Sequence, residues 1–222
     1  MENNHLLVTV GIAVHNGERF LQEALNSALK QTHGNVEVLI VNDGSTDTTA
    51  RIVESCQDAR VVFINSSRNH GLSTVRQIIK TLARGDYLTW LDADDIYDPD
   101  RIEYLLEEAT STGADIVCDN SRFIDEGGEE LPGGNRVPDH IAADPCFTRL
   151  FERNYMSPHA LISRRCYQAV DYDTSLPGAE DYDFWLKSSG AGFIFRRLDD
   201  TKISYRITTD SLSSNTARCW DD

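Results

Sequence analysis

Basic residues are scarce in this chain. Lys and Arg number 21 against 36 Asp and Glu among 222 residues, for a net charge of −15. So acidic a surface repels phosphate backbones and anionic headgroups unless basic residues cluster, and no basic run occurs. A nucleic-acid reader is excluded on that ground. The five cysteines (Cys56, Cys118, Cys146, Cys166, Cys219) are odd in number and dispersed, without a C-x-x-C pair or a His–Cys cluster. Neither a disulfide framework nor a zinc site is expected, and free thiols in a reducing cytosol are the plain reading. No apolar run approaches the roughly 20 residues that span a bilayer. The start, Met1-Glu2-Asn3-Asn4-His5, lacks the basic and apolar segments of a signal peptide. The expectation is a cytoplasmic protein with no transmembrane segment, peripheral attachment at the inner face of a membrane being left open. No internal repeat is present. The first apolar run is not followed by G-x-G-x-x-G, which disfavours a dinucleotide-binding dehydrogenase.

What remains is an ordinary globular composition, 40% hydrophobic and 26% charged, at a length that suits one compact domain. The first two-thirds alternates strand and helix periods. Strands are expected at Leu6–Val14, Val36–Val41, Val61–Ile64, Tyr87–Leu91 and Ile116–Cys118. Between them lie helical stripes: Phe20, Leu21, Ala24, Leu25, Ala28 and Leu29; then Ile52, Val53 and Cys56; then Leu72, Val75, Ile78, Ile79 and Leu82; then Ile102, Leu105, Leu106 and Ala109. Ser45 is expected to cap the second helix and Asp98-Pro99 to start the fourth. Gly85 and Gly113 are expected to stop the third and fourth. This βαβ order predicts an α/β fold with an open, mostly parallel sheet covered by helices on both faces, and ligands beyond the carboxyl ends of its strands. Residues 126–144, rich in Gly, Pro and charge, read as a long loop. The rest carries an Asp144-Pro145 helix start, a strand at Ala160–Ser163, a helix from Glu180-Asp181, and strands at Phe193–Leu198 and Ile203–Ile207.

Asp92-Ala93-Asp94 is the strongest chemical signal. Two carboxylates one residue apart at a strand end present hard oxygen ligands to Mg²⁺ or Mn²⁺, which can bridge to a diphosphate. That also reconciles an acidic protein with an anionic substrate. An acidic pair can be a mere turn or cap, but Asp98-Pro99 already supplies the next helix start. Asp43-Gly44-Ser45 leaves a strand in the same way, either as an Asx turn or as an acceptor for a base N–H or a ribose hydroxyl. Gly71 lets backbone approach a ligand. Arg76, one turn onward, can reach a phosphate or sit solvated on the helix. Glu180-Asp181 opens a helix either as a dipole partner or as a general base. The nearby aromatics Tyr182, Phe184 and Trp185 are either core or a sugar platform.

Taken in order, Val10 to Asn16, Val41 to Asp47, Asn69-His70-Gly71-Leu72 with Arg76, Leu91 to Asp95, Glu180 to Leu186 and Tyr205-Arg206 resemble family two of the glycosyltransferases. The resemblance covers Val8 to about Ser213. It implies the GT-A fold, a single Rossmann-like sheet flanked by helices with a smaller C-terminal acceptor-side portion. Residues 1–125 would form the nucleotide-sugar-binding half and residues 126–222 the acceptor-binding and catalytic-base half. Ala13, His15 and Asn16 would line the nucleotide pocket. Asp43 would bond the base, commonly uracil, and Gly71 and Arg76 would lie near the donor. Asp92 with Ala93 would contact ribose or sugar, and Asp94, with Asp92, would bind Mn²⁺ or Mg²⁺. Asp181 would deprotonate the acceptor hydroxyl, with Glu180 and Trp185 lining the substrate. The implied reaction moves a sugar with inversion from a UDP-sugar to a saccharide or lipid-linked acceptor, as in polysaccharide or cell-envelope glycan synthesis. Two departures stand out: Ala13-Val14-His15-Asn16 where relatives have Pro-x-Tyr-Asn, and Thr208 where many have a His. They motivate one alternative, a catalytically silent nucleotide-sugar-binding homologue, against which the retained Asp94 and Asp181 argue. A second, resting on a related fold, is a sugar-phosphate nucleotidyltransferase. The first loop, His15-Asn16-Gly17-Glu18-Arg19, is poor in the Gly and Arg that the latter would need.

Overall fold

A computed structural model describes residues 3–135, 148–151, 154 and 156–209. Strands β1 (Val8–Val14), β2 (Val36–Asp43), β3 (Val61–Ser66) and β4 (Tyr87–Trp90) alternate with helices α1 (Leu21–Leu29), α2 (Thr49–Glu54) and α3 (Leu72–Leu82). They pair in parallel in the order β3-β2-β1-β4. The short strand β5 (Ile96–Tyr97), helix α4 (Arg101–Thr112) and strand β6 (Ile116–Ile124) follow. The second half adds β7 (Glu130–Asn135), a 3₁₀ turn (Thr148–Phe151), β8 (Leu161–Ser163), α5 (Arg164–Ala169), α6 (Glu180–Gly190) and β9 (Phe195–Arg206). These strands enter the same sheet: β8 lies antiparallel between β4 and β6, and β9 runs parallel to β6.

Alternation along the strands builds two cores. Val36, Val38 and Ile40 of β2 face a cluster with Val8, Val10 and Ile12 of β1, Leu21 and Leu25 of α1 and Leu105 of α4. Leu39 and Val41 face the opposite cluster, with Val75 and Ile79 of α3 and Phe184 and Trp185 of α6. Both faces being covered, β1 and β2 read as continuous apolar runs. The expected α/β architecture, a mostly parallel sheet with helices on both faces, is the one found.

Several local expectations are corrected. Ser45 does not cap α2, which begins at Thr49. Its hydroxyl instead donates to the Asn42 side chain and accepts from the Asn16 amide at 2.8 Å. Asp98 does not cap α4, which starts at Arg101; its carboxylate is taken by Arg122. Gly85 lies beyond the end of α3. It is needed there because a Cβ would collide with the Tyr87 carbonyl and the Thr9 amide. Gly113 does end α4, in the left-handed region at φ 71°. On α3 the buried face carries Arg76 beside Val75 and Ile79, while Leu82 is 48% exposed. Residues 126–144 are not one loop. Glu130–Asn135 form β7, whose backbone ladder with β6 needs no apolar face. The two expected C-terminal strands are one, β9, with irregular register against β6 between Cys118 and Ser121. The Asp144-Pro145 helix start, with Cys146 and Cys219, lies outside the described residues.

Candidate functional site

The loops leaving the carboxyl ends of β1, β2, β3 and β4 carry most of the candidate residues. Asp43, 4% exposed, organises the first cluster. One carboxylate oxygen accepts from the His70 amide at 2.8 Å and the other from the Gly71 amide at 3.0 Å. The loop before α3 is thereby strapped to the end of β2. Gly44 permits this at φ 68°, since a Cβ there would collide with the Arg68–Asn69 backbone. His15 Nδ1 lies 2.8 Å from the Asp43 carbonyl and Nε2 lies 3.2 Å from Asn16 Nδ2. Those partners assign the neutral ring its hydrogen on Nδ1, which donates to the carbonyl, while Nε2 accepts. Asn16, at φ 54°, accepts from the Thr46 amide at 2.8 Å. The β1 and β2 loops thus form one exposed rim. Ala13 packs at the edge of the second core and Ala93 at the edge of the first.

The acidic cluster forms the second part. Asp92 is one-third exposed, with one oxygen 3.4 Å from Arg76 Nη2 and the other 3.5 Å from His159 Nε2. The same ring nitrogen lies 2.8 Å from Asp95, and His159 and Asp95 are both buried. Burial opposes charge on the ring, but the contacts to Asp92 and Asp95 outweigh it and raise His159 to about 9. His159 is therefore an imidazolium at neutral pH. Asp92 is held below the usual carboxylate range because His159 and Arg76 outweigh the cost of burial. Asp94 is treated differently. No ion pair reaches its carboxylate among the described residues, and burial followed by the charges of Asp95 and Asp92 pushes it from 3.8 to about 7. Its backbone is fixed all the same: the Asp94 carbonyl accepts from Arg206 Nε at 2.8 Å, and Asp95 accepts from the Arg206 amide at 2.8 Å.

Arg76 links this cluster to α6. It is 3% exposed, lies 3.2 Å from Glu180, and its guanidinium sits 5.3 Å from the centroid of the Trp90 ring. Burial drives the Glu180 carboxyl up, against the pull of Arg76. The next residue, Asp181, is part-exposed in the first turn of α6, where its carboxylate accepts from the Tyr182 amide at 2.7 Å. The backbone enters α6 through Ala179 at φ 57°. Trp185 is fully buried edge-on to Phe184 in the second core, so it is core and offers no face to a sugar.

The family model for glycosyl transferase family 2 matches residues 9–173. The chain belongs to glycosyl transferase family 2. It is 30% identical over 234 residues to the glycosyltransferase GlyA of Streptococcus pneumoniae, covering 97% of this chain and 32% of that one. To the chondroitin synthase of Escherichia coli it is 31% identical over 192 residues, covering 84% of this chain and 27% of that one. The crystal structure of S. aureus TarS 1–349 in complex with UDP-GlcNAc superposes with a TM-score of 0.78 at 19% identity. That match covers 94% of this chain and 61% of the other. The first relatives are much longer, and this chain spans about a third of their length. No helix of the described residues is long and apolar enough to cross a membrane.

Within this family-2 fold, Asp92, Arg76 and Glu180 are brought into direct contact, and Asp43, Gly71 and His15 share a second cluster. Asp92, Asp95 and His159 offer ligand atoms that all lie within 4.8 Å of one another, so the carboxylates present fit a divalent cation, which His159 could join only by giving up its proton. Sequence reasoning missed His159, Asp95 and the clasp made by Arg206. For His159 the one signal was a histidine directly before a short apolar strand.

Proposed function

We propose that this chain is the nucleotide-sugar-binding and transfer module of an inverting glycosyltransferase. Its donor would be a UDP-sugar and its acceptor a saccharide hydroxyl, free or lipid-linked, in the building of a polysaccharide or cell-envelope glycan. The observation that carries the reading is the unequal treatment of the acids after β4. Asp92 and Asp95 face fixed cations of the protein, Arg76 and His159, whereas Asp94 has none among the described residues and its carboxyl is pushed up to about 7. A carboxylate so placed in a crevice calls for a cation from solution. On this reading Asp94 holds Mn²⁺ or Mg²⁺ with help from Asp92, and Asp92 also faces ribose or sugar. A bound divalent ion would supply charge stabilisation for a departing diphosphate.

The chain's own groups do the rest. The His15 ring, locked by both nitrogens, provides a flat surface for a base beside Asp43, the candidate acceptor for a base N–H. Residues 1–125 would hold the donor and residues 126–222 the acceptor. Asp181 takes the proton of the acceptor hydroxyl while that oxygen bonds to the anomeric carbon. The bond from that carbon to the diphosphate breaks on the opposite side, and the nucleoside diphosphate leaves with the electron pair. Arg76 and Glu180 are buried against each other, so they position Asp92 and Asp181 and are not reserved for substrate. Support comes from TarS, which in crystal structures binds UDP and UDP-GlcNAc, and from the chondroitin synthase among the relatives. Calorimetric titration with UDP and a panel of UDP-sugars, with and without MnCl₂, tests the donor half. Binding is expected only with metal and is lost in Asp94→Ala; undiminished metal-free binding by that variant refutes the metal assignment. Asp181→Asn is expected to bind the donor normally and to transfer about 10²–10⁴-fold more slowly. Wild-type transfer by it would remove Asp181 from the mechanism.

A further inference from the structure

Beneath the acidic cluster lies an ion pair that no substrate can touch. Arg101, the first residue of α4, and Asp119 of β6 are both fully buried. The guanidinium grips both carboxylate oxygens, Nη2 to Oδ1 at 2.7 Å and Nε to Oδ2 at 3.2 Å, and lies 4.3 Å from the centroid of the Tyr97 ring. A pair like this recovers in mutual attraction little more than its two charges lose on leaving water, and an apolar pair of the same volume usually holds a fold together equally well. Stability alone does not account for it.

The remaining bonds of the same guanidinium point to another role. Nη2 also donates to the His159 carbonyl at 2.7 Å, and Nη1 reaches Thr89 Oγ1 at 3.4 Å. Thr89 Oγ1 bonds the same His159 carbonyl at 2.9 Å and lies 3.0 Å from the Tyr97 hydroxyl, which donates onward to the Trp90 carbonyl. Thr89 and Trp90 are the last residues of β4, which runs into Asp92. One buried fork therefore holds both the chain carrying the His159 ring and the strand carrying Asp92. The ring is fixed at its other end by Ser157, 3.0 Å from Nδ1, leaving Nε2 to face Asp92 and Asp95.

We propose that the Arg101–Asp119 pair is a positioning device for the donor site, clamping His159 to the end of β4 so that one ring nitrogen faces both carboxylates. The proposal rests on the functional reading above for its consequence, though not for its geometry. Arg101 and Asp119 are positioning residues that act through His159 and β4.

Two measurements test it on the full chain. The ring resonances of His159, followed by ¹⁵N–¹H correlation and assigned with His159→Gln, report the imidazole environment without any ligand. Calorimetric titration of UDP in MnCl₂ reports the donor site. The apolar exchange Arg101→Met with Asp119→Leu is expected to fold with a Tm close to wild type. It should shift or lose the His159 resonances and weaken UDP by roughly tenfold or more. Arg101→Lys keeps the charge but cannot form the fork, and an intermediate loss is expected. A folded double variant with unchanged His159 resonances and unchanged UDP affinity overturns the proposal. If the double variant does not fold, Arg101→Lys decides by the same two criteria. Should wild-type protein bind no UDP at all, the functional reading fails, and the resonances alone still confirm or overturn the clamp.

Discussion

Asp94 should make the cation-free protein less stable than it would be without that carboxylate. The group sits at about 7 in the folded chain and at an ordinary 3.8 when unfolded. Below the unfolded value both states hold the proton and nothing is lost. Between the two values the unfolded state has released its proton while the folded state keeps it, so stability falls as pH rises, by about 1.4 kcal/mol per pH unit. Above about 7 the loss is constant, with a ceiling of roughly 4 kcal/mol. Solvent reaches the part-exposed carboxylate, and screening lowers the expected loss to about 1–2 kcal/mol. Asp94→Asn removes the charge while keeping the shape. Its stability, from urea unfolding in a chelator, should therefore exceed wild type above about pH 7 and converge on it near pH 4. Mn²⁺ at about 100 times its dissociation constant should add about 2.7 kcal/mol to wild type and nothing to the variant. A difference between the two proteins that is flat with pH, or that favours wild type in the chelator, would refute the charge argument. A gain in stability coupled to loss of donor binding is the signature of a group retained for function.

Arg76→Met should cost about 3–5 kcal/mol, because it strands the buried Glu180 carboxylate and removes a cation from Asp92. Arg76→Met with Glu180→Gln should recover much of that in denaturant unfolding; an equal loss in both would assign the cost to packing. Gly44→Ala meets both an unfavourable φ of 68° and the Arg68–Asn69 backbone. It should lower stability by about 2 kcal/mol or more and weaken UDP binding by loosening the Asp43 strap, both measurable on one preparation. Unchanged UDP affinity in that variant would separate Asp43 from the donor.

The parallel half of the fold was legible because its cause is local. Apolar runs at β1 and β2 and 3.6-residue stripes at α1, α3 and α4 are consequences of burial on two faces. Helix starts were misread where a good capping residue had another partner, as with Ser45 on Asn42 and Asp98 on Arg122. Strand β7 escaped because a backbone ladder over glycines leaves no apolar pattern. Asp43, Asp92, Asp94 and Asp181 stood out as candidates because each sits at the end of an element with a clear period. Trp185 was misjudged because an aromatic on an amphipathic helix reads alike whether it faces core or crevice.

His159 was invisible for a more basic reason: its meaning lies in a register. Strand β8 pairs antiparallel with β4 through Tyr87–Ser163, Leu88–Ile162 and Thr89–Leu161. Continuing that ladder carries His159, two residues before Leu161, alongside the residues two after Thr89, and so to the flank of Asp92. No periodicity in either segment encodes that pairing. Moreover, three residue pairs are a weak specification, and a slip of one would turn the ring to the other face of the sheet. The bonds from Thr89 Oγ1 and Arg101 Nη2 to the His159 carbonyl prevent the slip by holding the chain beside β4 at the required residue. The acidic cluster that a motif locates in sequence thus acquires its charge balance only through long-range pairing, and the two aspartates of Asp92-Ala93-Asp94 become different groups. Asp92 is held ionised by His159 and Arg76, while the Asp94 carboxyl, with no ion pair among the described residues, is driven up by burial and by its two acidic neighbours.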